Sequence, residues 1–309
     1  MAIPVFSRAH VEAAVSPERA LEAVREAFVA HANGDWTMPP KVYVPAYPAG
    51  DFRAMPALGA GHALLKWVTS FPGNPAHGLP TVTGLVLLSD ASNGLLVAAL
   101  DAGAVTALRT GAAAVLAAET LGREGEAAVV GAGVNGRAVA RTFAARGRRV
   151  LIYDVDATRA QAVADELGAE AASREQALAV PVVATVTPSR DPVFVAGSLR
   201  AGQHVSLMGA DGPAKAEIDV EELARVRVFC DDWEQASHNG DLAHALEAQR
   251  IARAAVTQLG DVLTGKAEGR HSDDEITVFD STGLAIQDLA IALAAMERVD
   301  DLDLPVIDL

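Results

Sequence analysis

The chain has 309 residues, half of them hydrophobic, enough for two domains sharing a sizeable core. Its formal charge of −15 argues against nucleic acid or another polyanion as a partner, because no basic stripe offsets it. No uncharged apolar run reaches the roughly 18 residues of a membrane span, no basic leader is seen, and Cys230 has no second cysteine to pair with, so a cytoplasmic protein is expected.

Ser16-Pro17-Glu18 opens a helix, with Ser as cap and Pro in the first turn; Leu21, Val24, Ala27 and Phe28 recur at helical spacing and Gly34 follows its end. From Lys41 to Leu100 the pattern is of strands: Val42–Val44, Phe52–Met55, Ala63–Thr69, Val82–Leu88 and Leu95–Leu100, separated by turn clusters such as Pro72-Gly73-Asn74-Pro75. An alanine-rich helix over about Ala102–Leu121 leads out of this region.

Next comes the most informative stretch. The apolar run Ala127–Val130 breaks into Gly131-Ala132-Gly133-Val134-Asn135-Gly136. A buried strand that turns through Gly-x-Gly-x-x-Gly into a helix suits a dinucleotide pyrophosphate. The first glycine allows the tight turn, the second admits the phosphates to the backbone, and the third lets helix and strand pack closely. A second apolar run, Val150–Tyr153, ends in Asp154, 18 residues beyond Gly136. That is close to the roughly 20 expected for a carboxylate that grips a ribose 2′-hydroxyl. With no arginine before Arg159, NAD is favoured over NADP.

Beyond Asp154 the alternation is that of a doubly wound sheet. A helix over about Asp156–Leu167 and a short strand near Ala169–Ala171 precede a capping box at Ser173–Gln176. Strands follow at Val180–Val186, ending in Thr187, and at His204–Met208, ending in Gly209-Ala210-Asp211-Gly212-Pro213. Asp219 with Glu222 is expected to cap a helix, Val226–Cys230 to close the series, and Ile276–Phe279 to feed a long helix reaching about Arg298. The fold class expected is α/β: a Rossmann doubly wound parallel sheet over 121–280, beside an N-terminal mixed α+β domain over 1–120. The C-terminal segment, 281–309, returns to that first domain.

Three residues stand out for chemistry. Arginines outnumber lysines 21 to 4, so a retained lysine carries information. Lys66 lies in Ala63-Leu64-Leu65-Lys66-Trp67-Val68, apolar on both faces. An ammonium there must find a carboxylate, snorkel to water at a strand edge, or face a ligand. Arg109 interrupts a helix of small apolar residues; its planar fork suits a carboxylate or a pyrophosphate, or else a structural ion pair. Asp211 follows a strand where the carboxyl edge of the sheet should lie, and reads equally as a general acid/base or a turn-forming residue. None of the eight histidines falls into a metal-ligand or triad spacing.

Several segments together resemble the ornithine cyclodeaminase/mu-crystallin family. They are Met38-Pro39-Pro40-Lys41-Val42-Tyr43, Arg53-Ala54-Met55-Pro56-Ala57, Lys66-Trp67-Val68, Pro72–Pro75 with Gly78–Thr81, and Leu108-Arg109-Thr110-Gly111-Ala112-Ala113. The glycine loop, Gly209–Lys215 and Phe279-Asp280-Ser281-Thr282-Gly283 complete the set, which runs from about residue 15 to about 295. The resemblance implies that a cationic cluster of Lys41, Arg53 and Lys66 holds the substrate carboxylate and that Asp211 is the catalytic acid/base. It implies cofactor or site contacts at Thr81, Arg109, Val134, Asn135, Asp154, Lys215 and Ser281. With Gly131, Gly133 and Gly136, the strand-end residues Thr187 and Met208 join the expected cofactor contacts. The resemblance also implies that the N-terminal domain is the substrate-binding and dimerisation domain, pairing through its sheet into a homodimer.

Within the family, ornithine cyclodeaminases carry Glu where this chain has Arg53, and Arg where it has Lys41. Both residues here look like those of the family's archaeal-type alanine dehydrogenases. A second amino group on the substrate calls for a nearby acid, whereas Arg53 is expected to repel it and clamp a carboxylate. The expectation is an NAD-dependent dehydrogenase or imine reductase acting on a small 2-amino acid or its 2-oxo or imino counterpart. Ornithine cyclodeaminase, and a ketimine reductase or mu-crystallin-like binder, are the alternatives. Ala214 departs from the family's usual Gly and bears on the placing of Lys215.

Overall fold

The computed structural model describes residues 2–210, 212 and 215–309. Two compact units make up the chain: Met1–Arg109 with Leu284–Leu309, and Thr110–Gly283. The division falls inside a helix, where the sequence pattern suggested a boundary at its end, near residue 120.

The first unit holds a seven-stranded mixed sheet. Its strands are β1 (Ala2–Phe6), β2 (Val42–Ala46), β3 (Gly50–Gly59), β4 (His62–Ser70), β5 (Val82–Asp90), β6 (Leu96–Asp101) and the last strand of the chain, Val306–Asp308. From one edge the order is Val306–Asp308, β1, β6, β5, β4, β3, β2. β1 runs parallel to β6, and β6 through β2 are antiparallel to their neighbours. Two helices follow β1: α1 (Arg8–Ala14) and α2 (Pro17–Ala32). The Ser16 side chain accepts from Arg19 N at 3.2 Å, Pro17 stands in the first turn of α2, and Gly34 takes a φ of 82° beyond its end. The buried stripe of α2 packs on the C-terminal helix, Ala285–Met296, which also lies on β3, β4 and β5. That helix is apolar nearly all round and almost wholly buried, as a core helix must be.

Alternation along β3 and β4 sorts the two faces. Asp51, Met55 and Ala57 on β3 and Leu64, Lys66 and Val68 on β4 are buried, with Met55 paired to Lys66. The opposite face presents Val42, Val44, Leu58, Leu65, Trp67 and Leu85 to the surface, with the Phe52 and Trp67 rings stacked 5.7 Å apart. An antiparallel sheet usually keeps its outer face polar. This one does not.

The third helix, α3 (Ala102–Leu121), crosses from the first unit into the second. Among the described residues it is the one helix long and apolar enough to cross a membrane, and 83% of its most apolar window is buried inside the protein.

The second unit is an eight-stranded sheet with every neighbouring pair parallel. The strands are β7 (Ala127–Val130), β8 (Val150–Tyr153), β9 (Glu170–Ala171), β10 (Val182–Thr185), β11 (His204–Leu207), β12 (Arg227–Cys230), β13 (Val256–Gln258) and β14 (Thr277–Asp280). Their order is β9, β8, β7, β10, β11, β14, β12, β13. Most are buried on both faces, which is why they read as unbroken apolar runs. The chain steps outward from β7 to β9 and then returns to β10 on the other side. This reversal opens the crevice at the carboxyl ends of β7 and β10 where such sheets take ligands. Two crossover helices, α4 (Val134–Ala145) and α5 (Ala157–Leu167), link β7 to β8 and β8 to β9.

Two details differ from the sequence reading. β12 does not close the series, because β13 pairs outside it, and β1 and Val306–Asp308 extend the first sheet. β13 and the last strand have three residues each, too few to show a period, and Pro4 interrupts β1. Asp219 does cap the short helix Val220–Leu223, accepting from Glu221 N at 2.8 Å. Glu222 does not complete a capping box: its carboxylate accepts from the Gly197 and Leu199 amides and from Arg225.

Candidate functional site

On the first unit, Lys66 sits mid-strand on β4 and is 1% exposed. Its Nζ donates to Thr106 Oγ1 at 2.6 Å and to Asp288 Oδ1 at 2.8 Å. Of the three fates open to a lysine in this strand, pairing with a carboxylate is the one observed. Arg109, three positions past Thr106 on α3, brings its Nε to 3.6 Å from the same Asp288 oxygen. Two cations thus share one buried carboxylate and leave one positive charge over. Burial lowers the Lys66 ammonium to about 8; Asp288 opposes this, while Arg109 and Arg53 push the same way as burial. The ammonium is therefore charged at neutral pH and close to giving up its proton.

Arg53, on β3, is not an unpartnered cation. Its Nε donates to Asp51 Oδ1 at 2.6 Å and its Nη2 to Asp51 Oδ2 at 3.3 Å, and the guanidinium lies 5.3 Å from the Tyr43 ring centroid. The expectation that Arg53 repels a second substrate ammonium as a bare charge is corrected by this pair, which is neutral overall. Lys41 stands just ahead of β2 and Thr81 just ahead of β5, where the Thr81 carbonyl accepts from Phe71 N at 2.8 Å.

Asp288 escaped the sequence reading although the signal was the one that exposed Lys66 and Arg109. It is the only charged residue between Ala285 and Met296. Asp51 was likewise missed, two residues from Arg53 and so on the same face of β3.

On the second unit the expected nucleotide residues gather at the carboxyl edge of the sheet. Gly131 takes a φ of +104°, and a Cβ there would lie 2.6 Å from the Val186 carbonyl oxygen. At Gly136 a Cβ would come within 1.7 Å of the Gly131 carbonyl oxygen, so neither position admits a side chain. A Cβ at Gly133 would meet nothing within 4 Å. Gly133 caps α4 with no side-chain hydrogen bond, so the leading amides of Val134, Asn135 and Gly136 face an open cradle. That is the geometry an anionic pyrophosphate needs.

Asp154, just past β8, is 8% exposed. Its Oδ2 accepts from Ala132 N at 2.7 Å and its Oδ1 from Asp156 N at 2.9 Å, while Arg159 Nη1 lies 3.5 Å from Oδ2. The carboxylate is thereby locked to the glycine loop, with lone pairs left for a ribose hydroxyl. Thr187 follows β10, Met208 follows β11 and Ser281 follows β14; Met208 N donates to Thr185 O at 2.9 Å and Ser281 N to Leu207 O at 3.0 Å. The Ser281 hydroxyl donates to Asp231 Oδ2 at 3.0 Å. Lys215 has its carbonyl oxygen 2.8 Å from His244 Nε2. Asp211, with Pro213 and Ala214, lies outside the described residues.

Beneath this edge sit buried carboxylates that sequence reasoning did not single out. Glu217 Oε1 accepts from Thr187 N at 2.8 Å and Thr187 Oγ1 at 2.9 Å, and its Oε2 accepts from Gly209 N at 2.7 Å. One side chain thus clamps two of the loops. Burial, then the charge of Asp241, pushes the Glu217 carboxyl up to about 7 despite these hydrogen bonds. Burial raises Asp241 as well, and raises Asp280 well above the usual range, helped by Asp241. His204, packed between Thr277 and Ser206, is pushed down to about 3 by burial and is a neutral structural group. No group of three or more His, Cys, Asp or Glu among the described residues could hold a metal.

A fully parallel doubly wound sheet with this glycine loop at its switch point defines a Rossmann-type nucleotide-binding protein. The chain belongs to the ornithine cyclodeaminase/mu-crystallin family, whose model matches residues 3–302. It is 40% identical to an alanine dehydrogenase of Archaeoglobus fulgidus over 95% of this chain and 94% of that one. It is 30% identical to an ornithine cyclodeaminase of Agrobacterium tumefaciens over 82% of this chain and 74% of that one. Among solved structures, an archaeal alanine dehydrogenase dimer with NAD bound superposes with a TM-score of 0.94 at 39% identity, covering 100% of this chain and 99% of that one. The Δ1-pyrroline-2-carboxylate reductase of Thermococcus litoralis, with NADH and L-proline, gives 0.92 at 27% identity, covering 99% and 100%.

Proposed function

We propose that this protein is an NAD-dependent oxidoreductase acting on the C–N bond of a small 2-amino acid, L-alanine first, and interconverting it with the 2-oxo acid and ammonia. The observation that carries this reading is the Lys66–Arg109 pair on the single carboxylate of Asp288. It leaves one buried positive charge for a substrate carboxylate. Lys66 binds that carboxylate and, with its proton held only weakly, polarises the developing imine. Asp211 activates the water that hydrolyses the imine. The glycine loop and Asp154 hold NAD, which supplies the hydride acceptor when bound.

Ornithine is disfavoured as a substrate because both oxygens of the Asp51 carboxylate are committed to Arg53, leaving no acid there for a second ammonium. The apolar outer face of the first sheet, around Trp67 and Leu85, is the homodimer surface in this reading. The test is NADH formation with a panel of L-amino acids under NAD and under NADP. Turnover of alanine or another short mono-amino acid is expected; no turnover of any amino acid, or of any 2-oxo or imino acid in reverse, would overturn the proposal.

A further inference from the structure

The Asp288 carboxylate has no substrate to touch in this architecture, since it is 0% exposed behind Lys66 and Arg109. Nor is its charge dissipated elsewhere. Oδ1 takes the Lys66 ammonium at 2.8 Å and faces Arg109 Nε at 3.6 Å, while Oδ2 is buried without a hydrogen-bond partner. No backbone amide caps it, as amides cap Asp154, Glu217 and Asp241. A buried carboxylate in an apolar helix with only two cations for company acts on those cations alone.

We infer that Asp288 is the positioning residue of the carboxylate-binding pocket: it holds Lys66 and Arg109 together and sets the protonation state of Lys66. This rests on the reading above only for its consequence in turnover. The groups facing Lys66 are Arg53 from β3, Thr106 and Arg109 from α3, Asp288 from the C-terminal helix, and apolar Val86 across on β5. Burial, Arg109 and Arg53 all favour the neutral amine; Asp288 is the one charged group opposing them. Without it Lys66 gives up its proton at lower pH, and the pocket weakens as a cationic site for the substrate. With Arg109 removed instead, Asp288 is no longer shared and a repelling charge is gone, so Lys66 holds its proton to higher pH.

The chain has only four lysines, so the charge of Lys66 can be read directly in the intact protein. Lysine labelled with carbon-13 at Cε gives four resonances, and the one missing in Lys66→Met identifies Lys66. Its midpoint is expected near pH 8 in the natural chain, at least one unit lower in Asp288→Asn, within half a unit in Asp288→Glu, and at least half a unit higher in Arg109→Gln. Asp288→Asn is also expected to raise the amino-acid KM at least tenfold at pH 7.5. A role confined to folding would lower Tm and leave the Lys66 midpoint in place. An unmoved midpoint in Asp288→Asn overturns the inference; if that variant does not fold, an unmoved midpoint in Arg109→Gln does so. A natural enzyme that oxidises no amino acid would sink the proposed function while leaving the titration to stand or fall separately.

Discussion

Replacing Asp154 by Ser tests how the nucleotide half of the site chooses its cofactor. In the natural chain the Asp154 carboxylate is held by the Ala132 and Asp156 amides at 2.7 and 2.9 Å, so it cannot swing away from a ribose. A charge-assisted hydrogen bond to a 2′-hydroxyl contributes about 1.5–3 kcal/mol. A 2′-phosphate in the same place meets a like charge; at about 5 Å and an effective dielectric near 20 that costs roughly 3 kcal/mol per unit charge. The two effects together favour NAD over NADP by well over a hundredfold, every 1.4 kcal/mol being about tenfold. Serine keeps a hydroxyl partner for the ribose but removes the repulsion. It also releases Arg159 Nη1, now 3.5 Å from the carboxylate, to meet a phosphate, while Nη2 stays 3.5 Å from Asp156 Oδ2. The preference in kcat/KM should fall to within about tenfold, read by initial rates with each cofactor or by fluorescence titration of NADH and NADPH. Equal use of both cofactors by the natural enzyme, or an unchanged ratio in Asp154→Ser, would rule out Asp154 as the residue that selects the cofactor.

Three further outcomes are expected. Asp211→Asn should lower kcat by roughly 10²–10⁴, typical of a lost general acid/base, with NADH binding retained; near-natural turnover would remove Asp211 from the chemistry. Leu85→Glu puts a charge at the centre of the exposed apolar sheet face and should convert a dimer to monomers in sedimentation velocity, whereas a natural chain that sediments as a monomer would contradict the proposed pairing. Glu217 has its folded-state value raised from 4.5 to about 7, so its contribution to stability is fully present below pH 4.5 and is lost as pH rises through 7. That shift corresponds to about 3 kcal/mol, and in urea melts between pH 5 and 8 Glu217→Gln should lose this part of the slope while losing stability at pH 5 from the mismatched Gly209 contact. An identical slope in the variant would assign the pH dependence to other groups.

What could be read from the chain alone follows from which interactions are local. The glycine loop and Asp154 are legible because strand, turn and helix are contiguous, and the structure adds only the steric reason for Gly131 and Gly136 and the open side of Gly133. Lys66 and Arg109 declare themselves as charges in apolar surroundings. Asp288 carries the same signal, but its meaning depends on the C-terminal helix lying on β4, a contact between residues 222 apart in sequence. The Glu217, Asp241 and Asp280 cluster is illegible for the same reason, since strand order and not spacing brings these residues together. Arg53 was read with the right sign but without Asp51, whose bidentate contact turns a repelling charge into a neutral pair. Short edge strands such as Val256–Gln258 escape because three residues cannot display an alternation.

In the proposed function the buried cation pair serves a short mono-amino acid, and the Asp51 carboxylate, committed to Arg53, takes no second ammonium. Incubating the enzyme with NAD and equal amounts of L-alanine and L-ornithine, and then quantifying the products, tests it in one measurement. Pyruvate and ammonium are expected to form in step with NADH, with ornithine left intact. Proline and ammonium with no net NADH would contradict it.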